Sequence, residues 1–294
     1  MHKLMSNRWT ITWLVAPGLT LFLFMVCFPI LMSVYYGTTN WTGLGEYQSV
    51  GFANYYKVLF EDPIFWRSLW NALLLLLATL ALQHPVAILF AILITRAGRL
   101  EKTFRTIFFI PAVISIVVTS KMWVSVFHPS YGVLNKVLEQ LGLASLKQDW
   151  LGDPSVAIWS LIFVVMWQGF GYALLLYYAG LQGIPKDLYE AAELDGAGKI
   201  TLYTRVVIPL LSPMIRVAVI IAVTTCLKQM ETVFLMTNGG PGSTTQFLGN
   251  YLYKTAFSSS LYGYGNAISV IFVIICLIIT VVMNRALKKD VGQF

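Results

Sequence analysis

Six stretches of this chain, residues 12–35, 69–94, 107–127, 156–180, 213–236 and 265–284, are apolar over the length a helix needs to cross a bilayer. About 20 mostly apolar residues span the ~30 Å hydrocarbon core, and segments of this length read as transmembrane helices. The expected fold is therefore an all-α integral membrane protein with six transmembrane helices, forming one domain over residues 1–294. Composition agrees: 11% of the 294 residues are charged, against roughly 25% in soluble domains. A soluble enzyme and a disordered chain are both excluded. The first, second, third and sixth spans read as plain helices. The fourth contains Gln168, Gly169 and Gly171, and the fifth contains Lys228, Gln229 and Glu231.

Orientation follows from the basic residues, which collect on the cytoplasmic side of short loops. Lys3 and Arg8 precede the first span, and Arg96, Arg99, Lys102 and Arg105 follow the second. Lys186, Lys199, Arg205 and Arg216 follow the fourth, and Arg285, Lys288 and Lys289 end the chain. The opposite side holds Lys57, Arg67, Lys136, Lys147 and Lys254, so both termini are expected to be cytoplasmic. The formal charge of +7 is thus a topology signal and gives no reason to expect nucleic acid. The first span exceeds the roughly 7–15 apolar residues of a signal peptide and no A-x-A site follows, so it reads as an uncleaved helix. Cys27, Cys226 and Cys276 fall inside apolar runs, without disulfide or metal spacing.

No catalytic constellation is present. Gly196-Ala197-Gly198-Lys199 fails as a phosphate loop, because Ile200 stands where Ser or Thr must meet Mg²⁺ and Glu193 stands where the first Gly belongs. The loop at about 181–212 departs from its surroundings: Asp187, Glu190, Glu193 and Asp195 place four acids on the basic side. Pro185-Lys186-Asp187 predicts a helix start, and Gly196 is a natural residue just past a helix end. A second helix from Lys199 to Val207 should stop before Pro209. Helix, glycine turn and helix would form a compact knob, either an amphipathic interfacial element or a docking element for a cytoplasmic partner.

These residues resemble a known family. Glu190-Ala191-Ala192-x-x-Asp195-Gly196-Ala197, followed by Val206-Val207-Ile208-Pro209-Leu210-Leu211, is similar to the EAA loop of permease subunits in bacterial ABC importers. Phe109-Ile110-Pro111-Ala112, Trp167-Gln168, Gly180-Leu181-Gln182-x-Ile184-Pro185 and Thr237-Asn238-Gly239-Gly240-Pro241 resemble its carbohydrate branch. So do Tyr251-x-Tyr253 and Tyr262-Gly263-Tyr264-Gly265, which point to the maltose-permease-like member of the usual pair. Gly198, Ile200 and Thr201 depart from the residues common after the Asp-Gly-Ala.

The resemblance implies the type I ABC importer permease fold in a bacterial inner membrane. It implies a second homologous permease subunit, two cytoplasmic ATPase subunits, an extracytoplasmic solute-binding protein and a sugar substrate. It also implies no cofactor in this chain, ATP and Mg²⁺ residing on the ATPase. Glu190, Ala191, Ala192, Asp195, Gly196, Ala197 and Pro209 would couple the permease to that ATPase. For the substrate path, position relative to the family motifs singles out Gly169, Tyr172, Cys226 and Gln229, with Trp167 and Gln168 adjacent. Amides and phenols suit sugar hydroxyls, and aromatic rings suit sugar C–H faces. Lys228 and Glu231, three apart, would share a helix face either as an intramembrane ion pair or as lining of the path. Lys121, near the end of the third span, could snorkel to the interface.

Other readings remain distinguishable. A phosphorylated solute such as glycerol phosphate would want basic residues along the path, and only Lys121 and Lys228 are available there, Arg216 counting with the cytoplasmic group at the edge of the fifth span. An ion-coupled secondary transporter would show paired broken helices, whereas one interrupted span, the fifth, is expected. An intramembrane enzyme lacks its catalytic groups.

Overall fold

The computed structural model describes residues 8–286. Lys3, Lys288 and Lys289, used above for orientation, lie outside the described residues. Within them the chain is helical with no strand, and one isolated bridge joins Thr39 to Ser49. Four helices are long and apolar enough to cross a membrane: Ile11–Gly37, Pro63–Thr95, Ala157–Gln182 and Tyr262–Ala286. They correspond to the first, second, fourth and sixth expected spans. Two bent pairs complete the six, Gly98–Val113 with Ile116–Val126 at 93° and Lys199–Leu210 with Ser212–Leu227 at 65°.

The bends correct three expectations. The third span is broken at Ile114 and Ser115, both extended at ψ near 136–137°, although hydropathy alone runs through it. The fifth span, expected to be interrupted but to run on to residue 236, stops at Leu227, and a separate short helix, Glu231–Met236, follows. Two interrupted spans instead of one also remove the count of broken helices as an argument against secondary transport. The helix after the glycine turn does not end before Pro209 but continues to Leu210, bending at Leu211.

Prolines explain several irregularities. A proline inside a helix lacks an N–H and its ring collides with the carbonyl four residues back. Three π-helical turns, Leu23–Cys27, Thr79–Gln83 and Leu202–Val207, each lie directly before a residue and a proline: Phe28-Pro29, His84-Pro85 and Ile208-Pro209. A wider turn carries the offending carbonyl away from the ring, so the helix continues. Such adjustments keep freed backbone groups satisfied at membrane depth.

Two compact units emerge. One comprises the residues up to Phe65 together with Leu252–Ile275, and the other comprises Trp66–Tyr251 together with the residues from Cys276 onward. In the first unit Tyr36 stacks on Trp41 at 4.6 Å, and Trp41 meets Tyr262 at 5.5 Å. Tyr264 donates to Asp62 at 2.6 Å. In the second unit the fourth span packs on the second and third. Its core gathers Ala87, Ala91, Leu174, Tyr177, Leu181, Leu202, Val207 and Leu211. Small residues allow the close approach: a methyl on Gly171 would sit 2.8 Å from the Phe108 carbonyl oxygen. The most apolar 18-residue stretch of the first span has no residue buried in this chain.

Candidate functional site

Two regions of the second unit carry the residues singled out by sequence. The first is the loop between the fourth and fifth spans. Its helix, Lys186–Leu194, follows Pro185 and has Asp187 in the first turn, where an acid suits the helix dipole. It ends in a Schellman motif. The Ala197 N–H donates to the Ala192 carbonyl and the Gly196 N–H to the Glu193 carbonyl, both at 3.0 Å, with Gly196 at φ +80°. Glycine is required for that backbone, not for space, since an added methyl at 196 meets nothing within 4 Å.

The knob is fastened to the spans. Tyr189 and Ala192 pack on the core, as do Ile184 and Tyr203. The Arg96 guanidinium lies 4.8 Å from the Tyr203 ring centre. Burial pushes the Tyr189 phenol above its usual range, the nearby Tyr203 adding to the rise and Arg96 opposing it. Below them Tyr178 donates to Glu101, Gln182 donates to the Tyr178 hydroxyl at 3.0 Å, and Arg105 lies 5.1 Å over the Tyr178 ring. Of the expected coupling residues, Glu190, Ala191, Asp195, Gly196 and Pro209 are exposed, whereas Ala192 and Ala197 are half-buried. The two alanines therefore serve different surfaces. The tip also leaves Leu194 89% and Ile200 81% exposed, a bare apolar pair beside the glycine turn that the acidic character of the loop conceals in the sequence.

The second region is a cavity of about 180 Å³ between the second, fourth and fifth spans. It brings together Gly169, Tyr172 and Cys226 from the expected path and adds Thr79, Gln83, His84 and Thr225. Sequence reading missed Gln83 and His84; the signal available was Pro85 inside an apolar run. His84 Nδ1 and the Tyr177 hydroxyl form a buried hydrogen bond of 2.5 Å. The Cys226 thiol reaches Thr79 at 3.6 Å. Trp167 instead lines a neighbouring cleft with Gln83, Phe108 and Phe170, and its ring meets Trp123 at 5.4 Å.

Gln168 and Tyr172 have protein partners. Gln168 donates to the Ile114 carbonyl at 3.1 Å and Tyr172 to the Ala112 carbonyl at 3.2 Å. These are carbonyls freed by the break in the third span, where an unmade hydrogen bond costs about 1–3 kcal/mol. Tyr172 nevertheless remains 61% exposed and lines the cavity.

Lys228, Gln229 and Glu231 are not brought into this cavity. The expected shared helix face is lost because the helix ends at Leu227 and resumes at Glu231. No ion pair joins Lys228 to Glu231, and both are exposed. Gln229 is buried with its amide nitrogen unpartnered. The break rests on Gly249, where a methyl would lie 3.1 Å from Met230 Cβ.

The Gly239-Gly240-Pro241 motif folds into a polar knot. Thr237 and Thr245 share a hydrogen bond of 2.8 Å, and Thr245 donates to the Gly240 carbonyl at 2.5 Å. Asn71 of the second span donates to the Thr244 and Gln246 carbonyls, both at 2.8 Å. A methyl on Gly239 would collide with Gln246 Oε1 at 1.6 Å. The motif is built to hold this turn against the second span.

A six-span helical protein with two bent spans, a small polar-edged cavity and a capped protruding loop has the architecture of a transport permease. The chain is 38% identical over 264 residues to a probable ABC transporter permease protein of Pyrococcus horikoshii, covering 90% of each. It is 35% identical over 290 residues to the multiple sugar-binding transport system permease protein of Streptococcus mutans, covering 98% of each. Its fold matches a chain of the bacterial alginate ABC transporter crystallised with an alginate pentasaccharide-bound periplasmic protein, with a TM-score of 0.83, 25% identity, and 98% and 99% of the two chains covered. The family described as binding-protein-dependent transport system inner membrane component matches residues 83–292. The chain belongs to that family of membrane transport subunits.

Proposed function

We propose that this chain forms half of the translocation path of an ATP-driven importer for a sugar or oligosaccharide handed over by an extracytoplasmic binding protein. A second homologous permease completes the path. Two ATPase subunits supply the work and hold the ATP and Mg²⁺. The complex sits in a bacterial inner membrane, with both termini of this chain and the loop at about 181–212 on the cytoplasmic side.

The observation that carries this reading is the loop tip. Leu194 and Ile200, solvent-facing on either side of the Schellman turn, are costly unless something covers them, since fully burying one such side chain gains about 1.5–3 kcal/mol. An ATPase can drive a membrane protein only through a contact whose energy differs between its two states, and a rigid apolar tip transmits such a difference. Tyr189, Tyr203 and Arg96 tie that tip to the end of the second span, which also lines the cavity.

A neutral saccharide suits the cavity best, because the Gln83 amide, the Thr79 and Thr225 hydroxyls and the Tyr172 ring stand in an otherwise largely apolar wall and neither Lys121 nor Lys228 lines it. At about 180 Å³ the cavity is smaller than the ~300–1,000 Å³ of an enclosing ligand site, as one wall of a shared path would be. The exposed, unpaired Lys228 supports a second reading, an anionic solute such as glycerol phosphate. Competition decides between them: neutral oligosaccharides, and not phosphorylated solutes, should compete for uptake by the reconstituted complex. For the coupling contact, Leu194→Cys should crosslink to the co-purified ATPase, and failure of the chain to retain any ATPase on purification would sink the importer reading.

A further inference from the structure

The second span contributes a feature that neither the family motifs nor the coupling loop uses. Its π-turn Thr79–Gln83 rotates Gln83 toward the fourth span, where the side chain borders both the cavity and the neighbouring cleft. The residue is only 8% exposed. Its carboxamide hydrogen-bonds no described residue, in contrast to its neighbour His84, which is held by Tyr177. The Gln83 amide borders open space on both sides and is left free to bond a molecule that enters there. The opposing wall is cut back for it, because a methyl at Gly169 would lie 3.3 Å from Gln83 Nε2, closer than an undisturbed contact. Tyr172 and Thr225 flank the same space.

We infer that the Gln83 carboxamide is a specificity-determining contact for a hydroxyl group of the passing solute. This rests on the proposal that the cavity lies on the path of a saccharide. A carboxamide offers a donor pair and an acceptor on one planar group, matching a hydroxyl that both gives and takes a hydrogen bond. The π-turn supplies the aim, and glycine at 169 supplies the room. A site built to bond a hydroxyl also rejects solutes that lack it, since its own polar group is then left unpaired. Gln83 would thus discriminate as well as bind.

The test uses the complete complex in proteoliposomes, with radiolabelled maltose, trehalose and raffinose as probes at saturating binding protein. Gln83→Met keeps length and burial but removes the amide. Uptake of the accumulated probe should fall about tenfold, as expected for one lost hydrogen bond, while the melting temperature of the purified complex stays level because no hydrogen bond within the protein has gone. Thr225→Trp, at an exposed position on the same wall, should obstruct uptake and serves to separate the two levels of the proposal. If Thr225→Trp obstructs but Gln83→Met transports as the parent does, the assignment of Gln83 is overturned and the path stands. If neither variant alters uptake, the cavity is not the path. Loss of uptake together with a lowered melting temperature makes Gln83 a packing residue and overturns the inference. Accumulation of none of the probes by the parent complex removes the saccharide reading and the inference with it.

Discussion

Gly196→Val isolates what the glycine turn does. The residue sits at φ +80° with open space around a would-be Cβ, so valine introduces no clash and acts through the backbone alone. A left-handed conformation costs an ordinary L-residue roughly 1–2 kcal/mol, and a β-branched residue tolerates it worst. The helix it caps has nine residues, below the ~12–15 at which an isolated helix is even marginal in water. It is held by the two Schellman bonds and by the packing of Tyr189 and Ala192. A shift of 1–2 kcal/mol changes such a local equilibrium about 5–30-fold. ATP-driven uptake should fall by a similar factor, with the chain still inserted and hydrogen exchange accelerated across 186–197. Gly196→Asn, which enters the left-handed region at small cost, should keep most of the uptake. Equal losses in the two variants, or a loss in the valine variant with unchanged exchange, would refute the backbone argument and leave side-chain obstruction of the partner as the cause.

Other expected outcomes follow from the packing. Arg96→Ala should reduce uptake per ATP hydrolysed, because the cation no longer holds the Tyr203 ring, and Arg96→Lys should restore part of that ratio; stoichiometry measured in proteoliposomes checks this. Gly171→Ala presses a methyl against the backbone of Phe108 and Phe109 and should cost about 1–3 kcal/mol. Gly180→Ala meets side-chain atoms of Met214 and Leu211 and no backbone and should cost less, so thermal denaturation in detergent should rank Gly171→Ala below Gly180→Ala. Gln168→Leu strands the Ile114 carbonyl and should lower the melting temperature, corresponding to about 1–3 kcal/mol. Gln168→Glu, kept protonated or not, cannot replace the donated N–H with the same geometry and should rescue poorly.

What the sequence discloses and what it hides divide along the range of the interactions. Six apolar runs and the Pro185–Ala197 loop are local patterns, and the structure finds the loop helix, its end and its glycine turn where periodicity and capping put them. The break at Ile114–Ser115 is invisible to hydropathy because every residue from Ile110 to Val113 is apolar or proline. It is tolerated through Gln168 and Tyr172, more than 50 residues away. Those two side chains looked like sugar contacts for sound chemical reasons, but their polar groups already serve the backbone. Lys228 and Glu231 fail as a helix-face pair because i, i+3 spacing means adjacency only if the helix persists, and it ends at Leu227. Gln83 and His84 were hidden by a π-turn that shifts every following residue around the helix axis. His84-Pro85 was the one local sign of it.

The most direct test is vectorial transport by the assembled complex. Proteoliposomes containing this chain, its partner permease and the ATPase subunits should accumulate a neutral saccharide only when ATP and the loaded binding protein are both present, and ionophores that collapse ion gradients should leave the rate unchanged. Uptake by this chain without the ATPase, abolished by those ionophores, would contradict the assignment and return the two broken spans to the secondary-transport reading.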